Sequence, residues 1–284
     1  MNRRTFLKRI LGSTIALFGV GGGTYYYAHE IEPASLKITK EIITSPKIPT
    51  PFNHFKIVQF SDTHLGFQYS FSQLEKLVKK INEQQPDLIV FTGDLIDEPQ
   101  TFQSSQQLIE ILQQLQANVG RFWIYGNHDH GGYGTEMVND IMTQANFQLL
   151  KNSHESIKVE NEAITLVGVD DLILGSPDLD SALSNSNEDQ FTILLAHEPD
   201  YASVAVDHFV DVQLSGHSHG GQVRFPFIGH LYTPTYAEKY VQGKYELNNG
   251  EFLLYVNRGI GTTRLPFRFL CKPELHVFTL RRSD

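Results

Sequence analysis

Sulfur is almost absent from this chain: Cys271 is the single cysteine in 284 residues. One thiol excludes an intramolecular disulfide and a thiolate cage for structural zinc or an iron–sulfur cluster. Its expected place is the interior, where a free cysteine behaves as a small apolar residue. A basic surplus is lacking too. Lys and Arg number 23 against 32 Asp and Glu, a formal charge of -9, which argues against broad binding of nucleic acid, whose phosphates demand a Lys/Arg surface. No internal repeat appears, and no low-complexity tract beyond the first thirty residues. What is present is 40% hydrophobic and 19% charged, the composition of a globular protein long enough to bury a substantial core, with one main domain as the simplest count.

The first thirty residues differ from the rest. Asn2-Arg3-Arg4-Thr5-Phe6-Leu7-Lys8-Arg9 precedes an uncharged run from Ile10 to Ala28, the layout of an export signal. The paired arginines followed by Phe-Leu-Lys resemble the bacterial twin-arginine signal, with Asn2 standing where Ser or Thr is usual. The resemblance implies the twin-arginine export machinery as a partner. It also implies a passenger that folds first and a main domain outside the cytoplasm, exported across the bacterial cytoplasmic membrane or anchored in it. Cleavage and retention stay open. Tyr25-Tyr26-Tyr27-Ala28 offers no small-x-small cleavage site, whereas Gly12, Gly19 and Gly21 to Gly23 weaken the run as a membrane helix. The expected organisation is a signal or anchor over 1–30, a linker over 31–51 and a main domain over 52–284. The linker is polar, carries Pro33, Pro46, Pro49 and Pro51, and has room for an edge strand from Leu36 to Ile43.

Within the main domain, periodicity sets the elements. Phe55 to Phe60 and Leu88 to Phe91 are apolar runs of strand length, and Arg121 to Tyr125 is a third. Between them, Leu74, Leu77, Val78 and Ile81 share one face of a helix that ends before Pro86, and a second helix is expected over Phe102 to Gln116. Alternating strands and helices argue for a right-handed α/β core. After a helix at Thr135 to Asn146, the runs 163–169, 191–197, 210–216, 251–257 and 274–280 follow with fewer helices between them, implying a second, partly antiparallel sheet.

Metal-competent side chains sit directly after these apolar runs, in five clusters: Asp62 and His64, Asp94, Asn127 with His128, His197, then His217 and His219. Open α/β sheets place their sites beyond the carboxyl ends of strands, so five such loops carrying only oxygen and nitrogen donors imply one shared polar site. A dinuclear metal centre is the natural reading. Alone, an Asp here is a turn former and a His a satisfied core residue; their joint occurrence overrides that. Gly93, Gly126 and Gly216 are read as turn glycines. His130, Asp97, Asp170 and Asp171 lie nearby without a place in the pattern and are expected mostly at the surface.

Taken in order, Asp62-x-His64, Gly93-Asp94, Gly126-Asn127-His128-Asp129, His197 and Gly216-His217-Ser218-His219 resemble the calcineurin-like metallophosphoesterase pattern, across residues 55 to 220. The resemblance implies an α/β fold built as a four-layer α-β-β-α sandwich of two mixed sheets. It implies two divalent metal ions, Mn, Zn or Fe: Asp62, His64 and His219 on one, Asn127, His197 and His217 on the other, and Asp94 bridging. The implied activity is hydrolysis of a phosphoester or pyrophosphate by a metal-bridging hydroxide. His128 is the implied acid for the leaving oxygen, and Asp129 the residue that orients it.

Residues 220–229 and 257–266 resemble the exported, membrane-associated branch of that family, which includes a cell-wall-associated phosphoesterase and lipid-linked sugar pyrophosphatases. The implied substrate is a phosphorylated small molecule or lipid-linked component of the cell envelope. Two other readings remain: a nucleotide phosphodiesterase or nuclease on the same centre, which the acidic balance disfavours, and a binder of phosphorylated envelope polymer without turnover. Arg258, on a glycine-rich loop after a strand, is the candidate anion clamp, with a plain salt bridge as its alternative. Phe225, Phe227 and Ile228 form either an exposed lip that meets lipid or a buried hairpin, and burial is the expectation.

Overall fold

The computed structural model describes residues 3–5 and 19–283, and its long strands form two six-stranded sheets. The first contains β1 (Lys37–Ser45), β2 (Lys56–Phe60), β3 (Leu88–Phe91), β4 (Gly120–Trp123) and β5 (Gln148–Leu149). The second is built from β6 (Ser153–Val159), β7 (Glu162–Gly168), β8 (Thr192–Leu195) and β9 (Val212–Ser215). A small hairpin, β10 (Arg224–Phe225) with β11 (Gly229–His230), precedes β12 (Gly243–Leu247), β13 (Phe252–Val256) and β14 (Glu274–Arg282). The sheet orders are β1-β14-β2-β3-β4-β5 and β12-β13-β9-β8-β7-β6. Both are mixed: β2 to β5 run parallel while β14 is antiparallel to β2, and β13, β9, β8 and β7 run parallel between antiparallel edge strands β12 and β6.

Side-chain alternation explains the layering. Val58, Phe60, Ile89, Phe91 and Trp123 pack under the helices Phe71–Asn82, Ser105–Leu112 and Thr135–Gln144, while their neighbours Ile57, Leu88, Val90 and Phe122 meet Ile193, Leu195, Val212 and Leu214 of the second sheet. A third core joins Val167, Leu194 and Leu254 to the short helices Leu179–Leu183 and Ala202–Ala205. Helices outside and two sheets inside make the expected four layers. The Phe71–Asn82 helix starts at Ser70, whose hydroxyl and the Gln73 side chain cap each other's backbone N–H.

Three features depart from the sequence reading. The run 274–280, expected in the second sheet, is β14 in the first, because the long C-terminal strand pairs on one side with β1 and on the other with the free edge of β2. The stretch 31–51 is no loose linker: the edge strand is there as β1, and Glu32, Ile43 and Ile48 are buried. Glu32 accepts hydrogen bonds from the backbone N–H groups of Leu270 and Cys271, which ties this stretch to the C-terminal loops. The second helix is shorter than expected, Ser105–Leu112. Half of the expected signal or anchor, residues 1, 2 and 6–18, lies outside the described residues. Its last part is helical over 19–26 and continues into Tyr27–Ile31. Among the described residues no helix is long and apolar enough to cross a membrane.

Candidate metal centre and active site

Every donor cluster lies just beyond the carboxyl end of a parallel strand: Asp62 after β2, Asp94 after β3, Asn127 after β4, His197 after β8, His217 and His219 after β9. The two sheets are stitched together at this end. Gln59 donates to the Ser215 carbonyl at 3.1 Å, His197 Nδ1 donates to the Thr92 carbonyl at 2.6 Å, and Asp62 accepts from the His217 backbone N–H at 2.9 Å. Asp62, His64, Asp94, His217 and His219 all have φ between 43° and 65°, a left-handed backbone rare for such residues, gathered at one spot. Gly93 permits the crowding: at φ +96°, an added Cβ would lie 2.6 Å from both Gly126 N and His197 Nδ1. At Gly216 the same atom would strike Ser61 and Asp62.

Two fully buried triads result, Asp62 with His64 and His219, and Asp94 with His197 and His217, and a third, partly buried group joins His64 to Asp97 and His128. Asp94 Oδ2 stands between the two buried triads, 3.5 Å from His64 Nε2 and 3.2 Å from His197 Nε2. The outward ring nitrogens are engaged: His64 Nδ1 by Asp97, His197 Nδ1 by Thr92, His217 Nε2 by the Thr235 carbonyl at 2.9 Å. That leaves inward nitrogens facing one another, His64 Nε2 to His219 Nε2 at 3.0 Å and His217 Nδ1 to His197 Nε2 at 3.2 Å. Lone pairs that close in a buried site repel unless a proton or cation sits between them. Asn127 Oδ1, also buried, has no hydrogen-bond partner. Facing nitrogens, an orphaned amide oxygen and two buried carboxylates fit hard or borderline divalent cations. Charge within the cluster agrees. Burial, aided by the charge on His197, pushes His217 down to about 3, so it is neutral as a ligand must be. Burial works against the proton on His197, yet Asp94 and Asp62 hold it on, in the place a cation would take.

His128 stands beside the cluster, half-buried, and its Nδ1 donates to the backbone carbonyl of Asp97 at 2.8 Å, leaving Nε2 free at the cleft. Burial disfavours its charged form, but Asp94, the Asp97 carbonyl and Asp129 outweigh burial and raise its pKa. Asp129 does not orient it. That carboxylate, fully buried, accepts from the backbone N–H groups of Asp94 at 2.8 Å, Leu95 at 2.9 Å and Gly126 at 2.9 Å, so it shapes the Asp94 loop instead. Asp97 is the residue the sequence reading passed over. Its Oδ1 accepts from His64 Nδ1 at 2.9 Å and from Thr263 Oγ1 at 3.2 Å. Its spacing three residues after Asp94 was the only available signal. Asp170 and Asp171, expected at the surface, are buried, Asp170 against His130 at 2.8 Å.

The cluster forms the floor of a cleft of about 710 Å³ whose wall includes Leu172, Ile173, Val223, Leu231, Tyr232 and Leu265, with Arg264 at its mouth. Arg258 is not in it. Its guanidinium is committed to a two-point ion pair with Glu274, at 3.0 and 2.7 Å, in a separate cavity with Lys37 and His276, so the anion-clamp expectation gives way to the salt bridge. The Phe225 to Ile228 hairpin is also not buried: Phe227 is fully exposed and Ile228 is 72% exposed.

Residues 55–221 match the family described as calcineurin-like phosphoesterase. Metallophosphoesterase YkuE of Bacillus subtilis (strain 168) is 46% identical, over 100% of this chain and 99% of that one. Phosphodiesterase YaeI of Escherichia coli (strain K12) is 31% identical over 96% of this chain and 98% of its own. UDP-2,3-diacylglucosamine pyrophosphatase LpxG of Chlamydia muridarum (strain MoPn / Nigg) is 29% identical, covering 94% and 97% respectively.

Proposed function

The chain belongs to the calcineurin-like phosphoesterase family, and on that premise we propose that it hydrolyses a phosphoester or pyrophosphate in a lipid-linked component of the cell envelope, using two divalent metal ions. The observation that carries this reading is the position of Asp94 Oδ2 between two triads of inward-facing donors, on the floor of a cleft with an apolar wall. Asp62, His64 and His219 would hold one ion, Asn127, His197 and His217 the other, and Asp94 would touch both. Such ions neutralise phosphoryl oxygens and lower the pKa of water in the site.

The remaining roles belong to the chain itself. His128 holds a proton at Nε2 for the leaving oxygen, since the Asp97 carbonyl fixes Nδ1 as a donor and thereby sets the ring's direction. Asp97 and the Thr92 and Thr235 carbonyls hold the ligand imidazoles in one tautomer. The Asp129 carboxylate keeps the Asp94 loop in its left-handed turn. Leu172, Ile173, Leu231 and Leu265 would receive the apolar part of an amphiphile while its phosphorus sits at the floor. The name of LpxG, a UDP-2,3-diacylglucosamine pyrophosphatase, supports an acylated substrate, and the resemblance of the leader to a twin-arginine signal supports a domain that works outside the cytoplasm.

Reconstitution of the full chain with Mn²⁺, Zn²⁺ or Fe²⁺ tests the proposal against nitrophenyl phosphate, bis(nitrophenyl) phosphate and UDP-2,3-diacylglucosamine, each with and without chelator. Metal-dependent cleavage, fastest on the acylated substrate, is expected. Full metal occupancy with no turnover of any of the three overturns it.

A further inference from the structure

Outside the metal centre, three segments meet in one apolar surface: residues 25–29, the hairpin region 222–232 and the loop 263–270. Arg224 N–H donates to the Phe269 carbonyl at 2.9 Å, and the Gln222 side chain donates to the Leu265 carbonyl at 2.9 Å, so hairpin and loop are one unit. Phe269 then touches both other parts, its ring 6.0 Å from Phe225 and 6.2 Å from Tyr27. Phe227 at the hairpin tip has φ +67°, a backbone costly for a bulky residue, and its side chain is fully exposed. Ile228, Leu231, Tyr232, Leu265 and Tyr25 are exposed around it. A contiguous patch of this kind marks an interaction site rather than scattered surface.

Its charge is as unusual as its polarity. In a chain of net charge -9, residues 222–237 and 258–270 contain no Asp or Glu and four arginines. Arg258 and Arg268 are engaged internally and half-buried Arg224, at the base of the hairpin, donates one N–H to the Gly220 carbonyl at 2.8 Å, whereas Arg264 is exposed over the Tyr232 ring, 5.2 Å from its centroid. The described end of the uncharged run, residues 19–28, reaches this surface at Tyr25, whose ring packs 5.4 Å from Phe267. Exposed aromatic residues, the described end of the leader and Arg264 therefore share one face, together with the cleft wall of Val223, Leu231 and Leu265; its carboxylates are Glu30, paired with His29 at 2.8 Å at one edge, and Glu32, buried and bound to the Leu270 backbone.

We propose that this face docks on a lipid bilayer carrying anionic headgroups. Phe227 and Ile228 enter the boundary between headgroups and acyl chains, Arg224 and Arg264 meet the phosphates, and the cleft opens at the bilayer surface. Docking does not depend on hydrolysis, so it is measured without turnover.

Trp123 is buried and is the single native tryptophan, which makes an added indole a clean reporter. The full chain carrying Phe227→Trp is mixed with vesicles of phosphatidylglycerol and phosphatidylcholine brominated on the upper acyl carbons. Its control is Val119→Trp, at the exposed far end of β4 from the metal cluster. Quenching of the first and not the second is expected. The double variant Phe227→Ser, Ile228→Ser should lower vesicle partitioning by roughly tenfold or more, the worth of burying two large apolar side chains, with an unchanged thermal midpoint. Equal quenching of the two tryptophan variants, or equal partitioning of the double variant and the parent, overturns the proposal. So does a concentration-dependent dimer that the double variant abolishes while vesicles stay unbound.

Discussion

Asp97 holds His128 through its backbone rather than its side chain: His128 Nδ1 lies 2.8 Å from the Asp97 carbonyl oxygen and 3.8 Å from the carboxylate. The carboxylate itself serves His64, at 2.9 Å. One residue thus supports the proposed acid and a proposed ligand through different groups, and substitution separates them.

Asp97→Asn should spare the His128 contact and weaken the one to His64. Metal affinity is expected to fall by about 10- to 100-fold, the usual effect of losing a ligand's supporting carboxylate. Calorimetric titration with Mn²⁺ measures it, and turnover at saturating metal should change far less. A large loss of turnover at full occupancy, with affinity intact, would contradict this division of labour.

His128→Ala should keep the proposed metal binding and lose turnover by roughly 10² to 10⁴. The sign of its pH effect follows from its role: the acid is protonated below its pKa, so activity declines as pH rises through that value. A pH–rate profile of the variant should lack that alkaline limb.

Metal binding should release protons, because Asp94 and Asp62 hold His197 protonated when no cation is present. Apparent Mn²⁺ affinity is therefore expected to rise with pH. Chelation should lower the thermal midpoint as the facing nitrogens and buried carboxylates lose their common partner. Scanning calorimetry at two pH values reads both effects.

Arg258→Ala should cost about 1.5 to 3 kcal/mol in stability, the usual worth of hydrogen bonds to a charged group, since buried Glu274 loses its two-point partner and keeps His276 and the Thr39 hydroxyl. The kcat of any correctly folded fraction should be near the parent's. Burial raises the pKa of Glu274, but His276 and Arg258 outweigh burial and hold it well below the usual carboxylate range. A depressed carboxylate contributes stability above its unfolded value of 4.5 that is lost as pH falls toward its folded one. Acid unfolding of Arg258→Ala should accordingly begin at higher pH than that of the parent.

Much of the domain was legible before any coordinates. Strand-length apolar runs ending in Asp62, Asp94, Asn127, His197 and His217 located both sheets and their shared edge, because side-chain period and donor type are local properties. What escaped was set by distant partners. Glu274 takes Arg258 out of the cleft, β14 crosses to the first sheet by pairing with β1 and β2, and Asp129 turns toward backbone N–H groups at Asp94 and Leu95. The exposure of Phe227 was equally hidden, since hydrophobicity favours burial and only the hairpin's place beside the Phe269 loop turns it outward. The chain by itself determined the donor set and the strands that carry it. Tertiary structure alone decided which nitrogens face inward, which charges are already paired and which apolar residues are left uncovered, because each depends on contacts between segments far apart in sequence.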